Sequence, residues 1–170
     1  MTNMVNTIRL GVFASGGGTN FQSIIDNCEA GRIDATVEAL ITNREDAGSL
    51  ERAANHGIES HVVPVGKDLS DEFHAADERH VQILRDCGVD LVCLAGYMRR
   101  IGTGVLNAFP HAALNIHPAI LPSFKGAHGQ RDAAEYGVRV SGATVHFADE
   151  EFDRGPIIIQ AAVPVIPGDT

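Results

Sequence analysis

From residue 8 onward, apolar runs of strand length alternate with stretches of helical period, an order that few folds accommodate. Ile8 to Ala14 reads as a strand and is followed by Phe21, Ile24, Ile25 and Cys28 at the i, i+3, i+4, i+7 spacing of an amphipathic helix. The pattern repeats with Val37 to Ile41, a helix around Leu50 to Ala54, a strand over His61 to Val65, and a longer helix with inner face Phe73, Ala76, His80, Ile83, Leu84 and Cys87. Asp68 and Ser70 are candidate caps for that helix, since a side-chain oxygen there can accept from an otherwise unpaired N–H. Val89 to Ala95 is apolar except for Asp90, as a strand covered on both faces requires, and a short helix follows near Val105, Leu106 and Ala108.

The second half changes character. Ala112 to Ile116 is a strand, Pro118 to Gly129 a loop, Gln130 to Tyr136 a helix, and Ala143 to Ala148 and Ile157 to Ala161 are strands separated by the acidic segment Asp149 to Gly155. The whole predicts an α/β fold with a mostly parallel, open, twisted sheet of Rossmann-like type and helices on both faces. No repeat, low-complexity tract or linker interrupts it, so residues 1–170 are expected to form a single domain. The final Pro167-Gly168-Asp169-Thr170 has the form of a turn entering a helix N-cap, so a C-terminal helix beyond it is expected to be lacking.

Composition narrows the function classes. Lys plus Arg number 13 against 22 Asp plus Glu, and a net charge of −9 repels nucleic-acid phosphates. Any anionic ligand must therefore be held by local donors. The three cysteines, Cys28, Cys87 and Cys93, form no CxxC pair, which argues against a disulfide framework or a thiolate zinc site and for a reducing compartment. No apolar run approaches the ~20 residues that span a bilayer, and the opening Met1 to Thr7 has no basic region followed by a long apolar one. A cytoplasmic protein with no membrane or nucleic-acid partner is expected.

Three places could carry chemistry. Ser15-Gly16-Gly17-Gly18-Thr19-Asn20 lies between the first strand and the first helix, where bare backbone N–H groups and the helix start favour an anion such as a phosphate. It is no Walker A loop, and Phe21 together with Thr42-Asn43-Arg44 disfavours NAD; a tight turn without a ligand is the plainer alternative. Asn115 and His117 close the fifth strand at the sheet edge where open parallel sheets bind ligands, and, two apart, they share a face. An amide donor beside an imidazole can bind a developing oxyanion and move a proton, although a polar strand end bonded to backbone reads equally well. Asp153 lies in an acidic loop that could simply be solvated; folded back, its carboxylate would hold His117 as an imidazolium. The other histidines show no metal-ligand spacing, so no metal is expected, and Arg99, Arg100 and Lys125 could meet ligand or water.

Taken with Leu94 to Arg99, Leu114 to Pro122, and Gly142 to Phe147 running on to Phe152-Asp153-Arg154-Gly155-Pro156-Ile157, these motifs resemble the phosphoribosylglycinamide formyltransferases, within the folate-dependent formyltransferase superfamily. The likeness spans essentially the whole chain, and its most specific element is the ordered trio Asn115, His117 and Asp153. It implies the formyltransferase fold and transfer of the formyl group of 10-formyltetrahydrofolate, the co-substrate, to the amine of glycinamide ribonucleotide in purine biosynthesis, without a metal. By this resemblance Gly18, Thr19 and Asn20 hold the phosphate, and Met98, Arg99, Arg100, Ile101 and Asn115 bind folate while the Asp149 to Asp153 loop closes on the pteridine. Asn115, His117 and Asp153 are then catalytic, residues 1–100 form the phosphate-binding half and 101–170 the catalytic and folate half, and the protein acts as a monomer or homodimer.

The chain departs from the family at Asp71, where a basic residue is common and Lys67 is here the nearest cation. Two relatives compete. Formyltetrahydrofolate hydrolases share the trio but carry a regulatory domain ahead of the first strand, and methionyl-tRNA formyltransferases need a tRNA-binding extension and a basic surface. From another class, a non-catalytic phosphate-ligand sensor could use the same sheet.

Overall fold

A computed structural model describes residues 7–166, 168 and 169. Met1 to Asn6, Pro167 and Thr170 fall outside it, and with them most of the leader reading and part of the C-terminal turn. The elements run β1 (Ile8–Phe13), α1 (Thr19–Glu29), β2 (Ala35–Thr42), α2 (Ser49–Asn55), β3 (Glu59–Val62), α3 (Asp71–Asp86), β4 (Leu91–Leu94), α4 (Thr103–Ala108), β5 (Ala113–His117), α5 (Gly129–Tyr136), β6 (Val140–Phe147) and β7 (Ile157–Pro164). The strands form one seven-stranded sheet in the order β3-β2-β1-β4-β5-β6-β7. The pairs from β3 through β5 are parallel, whereas β5–β6 and β6–β7 are antiparallel. The chain leaves β1 toward one edge and returns at β4 to build toward the other. The carboxyl ends of β1 and β4 therefore flank a crevice, the usual ligand position in such sheets.

Alternation along each strand divides the core. Phe13, Ile41, Val92 and Leu94 pack with Ala76, Ile83 and Leu84 of α3 and Val105 of α4 on one side. Leu10, Val12 and Leu40 meet Phe21 and Ile25 of α1 and Ala53 of α2 on the other. Helices thus cover both faces, and each large side chain so buried contributes about 1.5–3 kcal/mol. The Ser70 side chain accepts from the Phe73 N–H and caps α3, with Asp71 and Glu72 in its first turn as the helix dipole favours.

Boundaries shift where burial misleads. The third strand is Glu59–Val62 rather than 61–65, because an edge strand paired on one side tolerates Glu59 and Ser60. Its ladder ends after Val63, whose N–H donates to the Thr42 carbonyl at 2.8 Å, since Pro64 has no N–H to continue it. β4 is shorter than the run 89–95, beginning only after Asp90, whose carboxylate pairs with Arg9, and β6 and β7 are longer than their apolar centres, because their pairing extends over exposed positions.

Candidate active site

Antiparallel pairing builds the site's base. β5 presents Asn115 opposite His146 of β6, and His117 opposite Thr144. The Thr144 hydroxyl donates to the Ala119 carbonyl at 2.7 Å and accepts from the Leu121 N–H at 3.0 Å, which fixes the chain as it leaves β5. The loop from β6 to β7 then turns back. A Cβ on Gly155 would collide with the Phe147 carbonyl, so glycine is needed for this close return. Asp153 takes a left-handed φ of 54°, which an Asp tolerates better than most residues.

This turn places the Asp153 carboxylate between two imidazoles. Oδ2 lies 3.4 Å from His117 Nδ1 and Oδ1 lies 3.6 Å from His146 Nε2, all three side chains being at most 6% exposed. The Gly126 N–H donates to Oδ2 at 2.8 Å. His117 Nε2 meets the Phe124 carbonyl at 2.7 Å; a carbonyl only accepts, so that nitrogen carries a proton. Likewise His146 Nδ1, 2.9 Å from the Phe147 carbonyl, is protonated, which leaves its Nε2 to accept from the Asn115 amide at 3.0 Å.

The electrostatics follow from these contacts. Burial disfavours a charged His117, yet the Asp153 carboxylate and the Phe124 carbonyl outweigh it, against some opposition from Lys125, and its pKa lies above the ordinary 6.5. Burial likewise works against ionised Asp153, but bonds from His117 and the Gly126 N–H hold its carboxyl well below the usual carboxylate range. An imidazolium–carboxylate pair is thus stored under the cleft.

Above the pair opens a cleft of about 280 Å³. Met98, Arg99, Arg100 and Ile101 form one wall, Asn115, His117 and His146 the floor, and the 149–153 loop the facing wall. Arg100 bridges both walls: its guanidinium donates to the Glu150 carbonyl and sits 5.9 Å above the Phe152 ring. Arg99 turns aside to the Gly66 carbonyl, with Asp68 4.0 Å away.

The glycine loop lies at the crevice between β1 and α1. Gly18 has φ 71° at the position before α1, while added Cβ atoms at Gly16 and Gly17 would meet nothing within 4 Å, so this backbone is open to a ligand. The loop is braced from below: the Ser49 N–H donates to the Gly16 carbonyl at 3.0 Å and Arg52 Nε to the Gly17 carbonyl at 2.7 Å. Ser15 joins the loop to the cleft, since its hydroxyl contacts Asn43 Oδ1 at 2.5 Å and accepts from the Met98 N–H at 2.8 Å.

Sequence reasoning missed His146, Thr144 and Arg52. Thr144 and His146 alternate inward on an expected strand, but only the strand order reveals that they face Asn115 and His117. Arg52 reads as a solvated helix residue until α2 is seen against the glycine loop.

Known proteins share the family and the fold over most of the chain. A family model described as Formyl transferase matches residues 8–170. The chain is 44% identical over 167 residues to a chloroplastic phosphoribosylglycinamide formyltransferase of Arabidopsis thaliana, covering 95% of this chain and 57% of that protein. It is 40% identical to the phosphoribosylglycinamide formyltransferase of Escherichia coli K12, covering 94% and 74%. The crystal structure of glycinamide ribonucleotide transformylase 1 from Symbiobacterium toebii superposes with a TM-score of 0.90 at 49% identity, covering 96% of this chain and 76% of that one. A formyltetrahydrofolate deformylase from Pseudomonas syringae has the same fold, with a TM-score of 0.87 at 28% identity over 98% of this chain and 54% of that one.

Proposed function

Since the chain belongs to the formyl transferase family over residues 8–170, we propose that it transfers the formyl group of 10-formyltetrahydrofolate to the amine of glycinamide ribonucleotide, in purine biosynthesis. The observation that carries the reading is the buried carboxylate of Asp153 between His117 and His146, directly under Asn115. In this reading Met98, Arg99, Arg100, Ile101 and Asn115 hold the folate, and Gly18, Thr19 and Asn20 hold the phosphate through backbone N–H groups and the start of α1. Residues 1–100 supply the phosphate half and 101–170 the catalytic half of one domain, which works in the cytoplasm as a monomer or homodimer. Among the described residues no helix is long and apolar enough to cross a membrane.

The amine attacks the formyl carbon, forming a C–N bond and an oxyanion; the C–N10 bond then breaks as a proton lost by the amine reaches N10. Asn115 Nδ2–H and His117 Nε2–H are the donors for the oxyanion. Both are held in the free protein, by His146 Nε2 and the Phe124 carbonyl, so the reacting group exchanges for partners already in place rather than meeting bare donors. Asp153 keeps the imidazole charged as negative charge grows on oxygen.

The deformylase neighbour supports a second reading, hydrolysis of the same folate. Incubating the purified protein with both substrates and following tetrahydrofolate by absorbance separates them. Release that requires the ribonucleotide is the expected result. Release without it identifies a hydrolase, and saturable binding of a phosphorylated ligand with no release identifies a sensor.

A further inference from the structure

We propose that the opposite edge of the sheet holds a second, independent site, for a single borderline-soft divalent cation of the zinc class, formed by Glu59, His61 and Cys87. Glu59 and His61 are two apart on β3, so they project from the same face, and Cys87 is the residue that closes α3 beside them. Their ligating atoms all lie within 4.8 Å of one another. Glu59 Oε1 is 3.0 Å from His61 Nε2, and Glu59 Oε2 is 4.0 Å from Cys87 Sγ. A tetrahedral zinc with bonds of about 2.0–2.3 Å spaces its donors about 3.3–3.8 Å apart, so small side-chain movements suffice.

His61 Nε2 itself points to a missing partner. That nitrogen is buried and makes no hydrogen bond among the described residues, although a carboxylate oxygen lies close by outside the line of a ring N–H. The field suits a cation: the charges that act on the Cys87 thiol are those of Glu59, Asp86 and Glu38, all negative, and the carboxyl end of α3 adds its dipole. Thiolate, imidazole and carboxylate together favour zinc over magnesium or calcium, and the partly exposed setting leaves an entry path and a fourth position for water. β2, β1 and β4 separate this site from β5, so it takes no part in the chemistry proposed above. Its ion would tie the edge strand β3 to the end of α3.

The test uses the intact protein, stripped with EDTA and titrated with zinc chloride against a chromophoric chelator, beside His61→Ala, Cys87→Ser and the control Cys28→Ser. One equivalent should bind, with affinity lower by about tenfold or more in the first two variants and unchanged in the third. Cobalt should give a thiolate charge-transfer band that Cys87→Ser abolishes and Cys28→Ser retains. Excess zinc should raise Tm by about 5 °C in the parent and leave Cys87→Ser unmoved. Equal binding in all variants, an adventitious ion only, or no cobalt–thiolate band in the parent would overturn the site.

Discussion

The parallel and antiparallel halves of the sheet prepare for negative charge in opposite ways. At the end of β1 the groups offered are backbone: open glycines and the start of α1. At β5 and β6 they are side chains, buried and already paired, with Asp153 balancing the charge on His117. A cradle of N–H groups suits a phosphate, which arrives with its charge. A stored imidazolium suits an oxyanion, which exists only during reaction and gains most from a positive charge already in place. The same contrast separates two buried histidines. His117 has a carboxylate and is held charged; His80, packed edge-on against Phe13 at 5.1 Å, has no hydrogen-bond partner among the described residues, and burial pushes its pKa down to about 4. Burial alone does not make a histidine reactive; the acid beside it does.

The sharpest way to break the contrast is at the side-chain end. Asn115→Ala and His117→Ala should each lose about 10²–10³ in turnover, with ribonucleotide binding largely retained, as steady-state kinetics and calorimetry would read. Near-normal turnover by either variant would refute the assignment. Asp153→Asn should lower turnover by about tenfold to a hundredfold and also change its pH dependence. The parent's activity should persist to a pH above 6.5 and fall as His117 loses its proton; without the carboxylate that fall should move to lower pH. An unmoved profile would show that Asp153 does not set the charge.

His80 supplies the complementary test, in stability. Its folded pKa lies below the unfolded 6.5, so the unfolded chain binds the extra proton first. Stability should fall between pH 6.5 and about 4 by on the order of 3 kcal/mol and level off below that. His80→Leu should remove that slope in urea unfolding without changing turnover at neutral pH.

The two halves were also unequally legible. The glycine loop lies within a few consecutive residues, and its position after a strand and before a helix already states its use. Asn115 and His117 were visible for the same reason. Asp153 could be named from its loop, but a solvated carboxylate read at least as well until the resemblance was added, because its approach to His117 depends on the Gly155 return and on a left-handed backbone. His146 was out of reach: nothing in the residues around it says that β6 runs antiparallel to β5. That the sheet is mostly parallel was readable from the alternation of strands and helices, but the strand order was not, and the antiparallel β6–β7 extension follows no such alternation.

At the backbone end the effects should be smaller and confined to binding. Gly18→Ala would put a Cβ 2.8 Å from Ser49 Cβ and force an alanine to φ 71°, a cost of roughly 1–2 kcal/mol. The KM for the ribonucleotide should rise about tenfold with kcat little changed. A fall in kcat instead would mean that the loop takes part in the reaction itself.

Ser15 should give the smallest effect and the most informative one, since it belongs to both regions. Its hydroxyl, 4% exposed as a residue, links Asn43 at the end of β2 to the Met98 N–H on the cleft wall, one step before the glycines begin. Ser15→Ala leaves the Met98 N–H without its acceptor, and a lost hydrogen bond of this kind costs about 1 kcal/mol. If the two regions are set independently, only the folate KM should change, because Met98 lies on that side. If Ser15 fixes their spacing, both KM values should rise by about threefold to fivefold together, with kcat held, because Asn115 and His117 are anchored elsewhere by Thr144 and Asp153. We expect the joint rise, which initial-rate measurements varying each substrate in turn would detect.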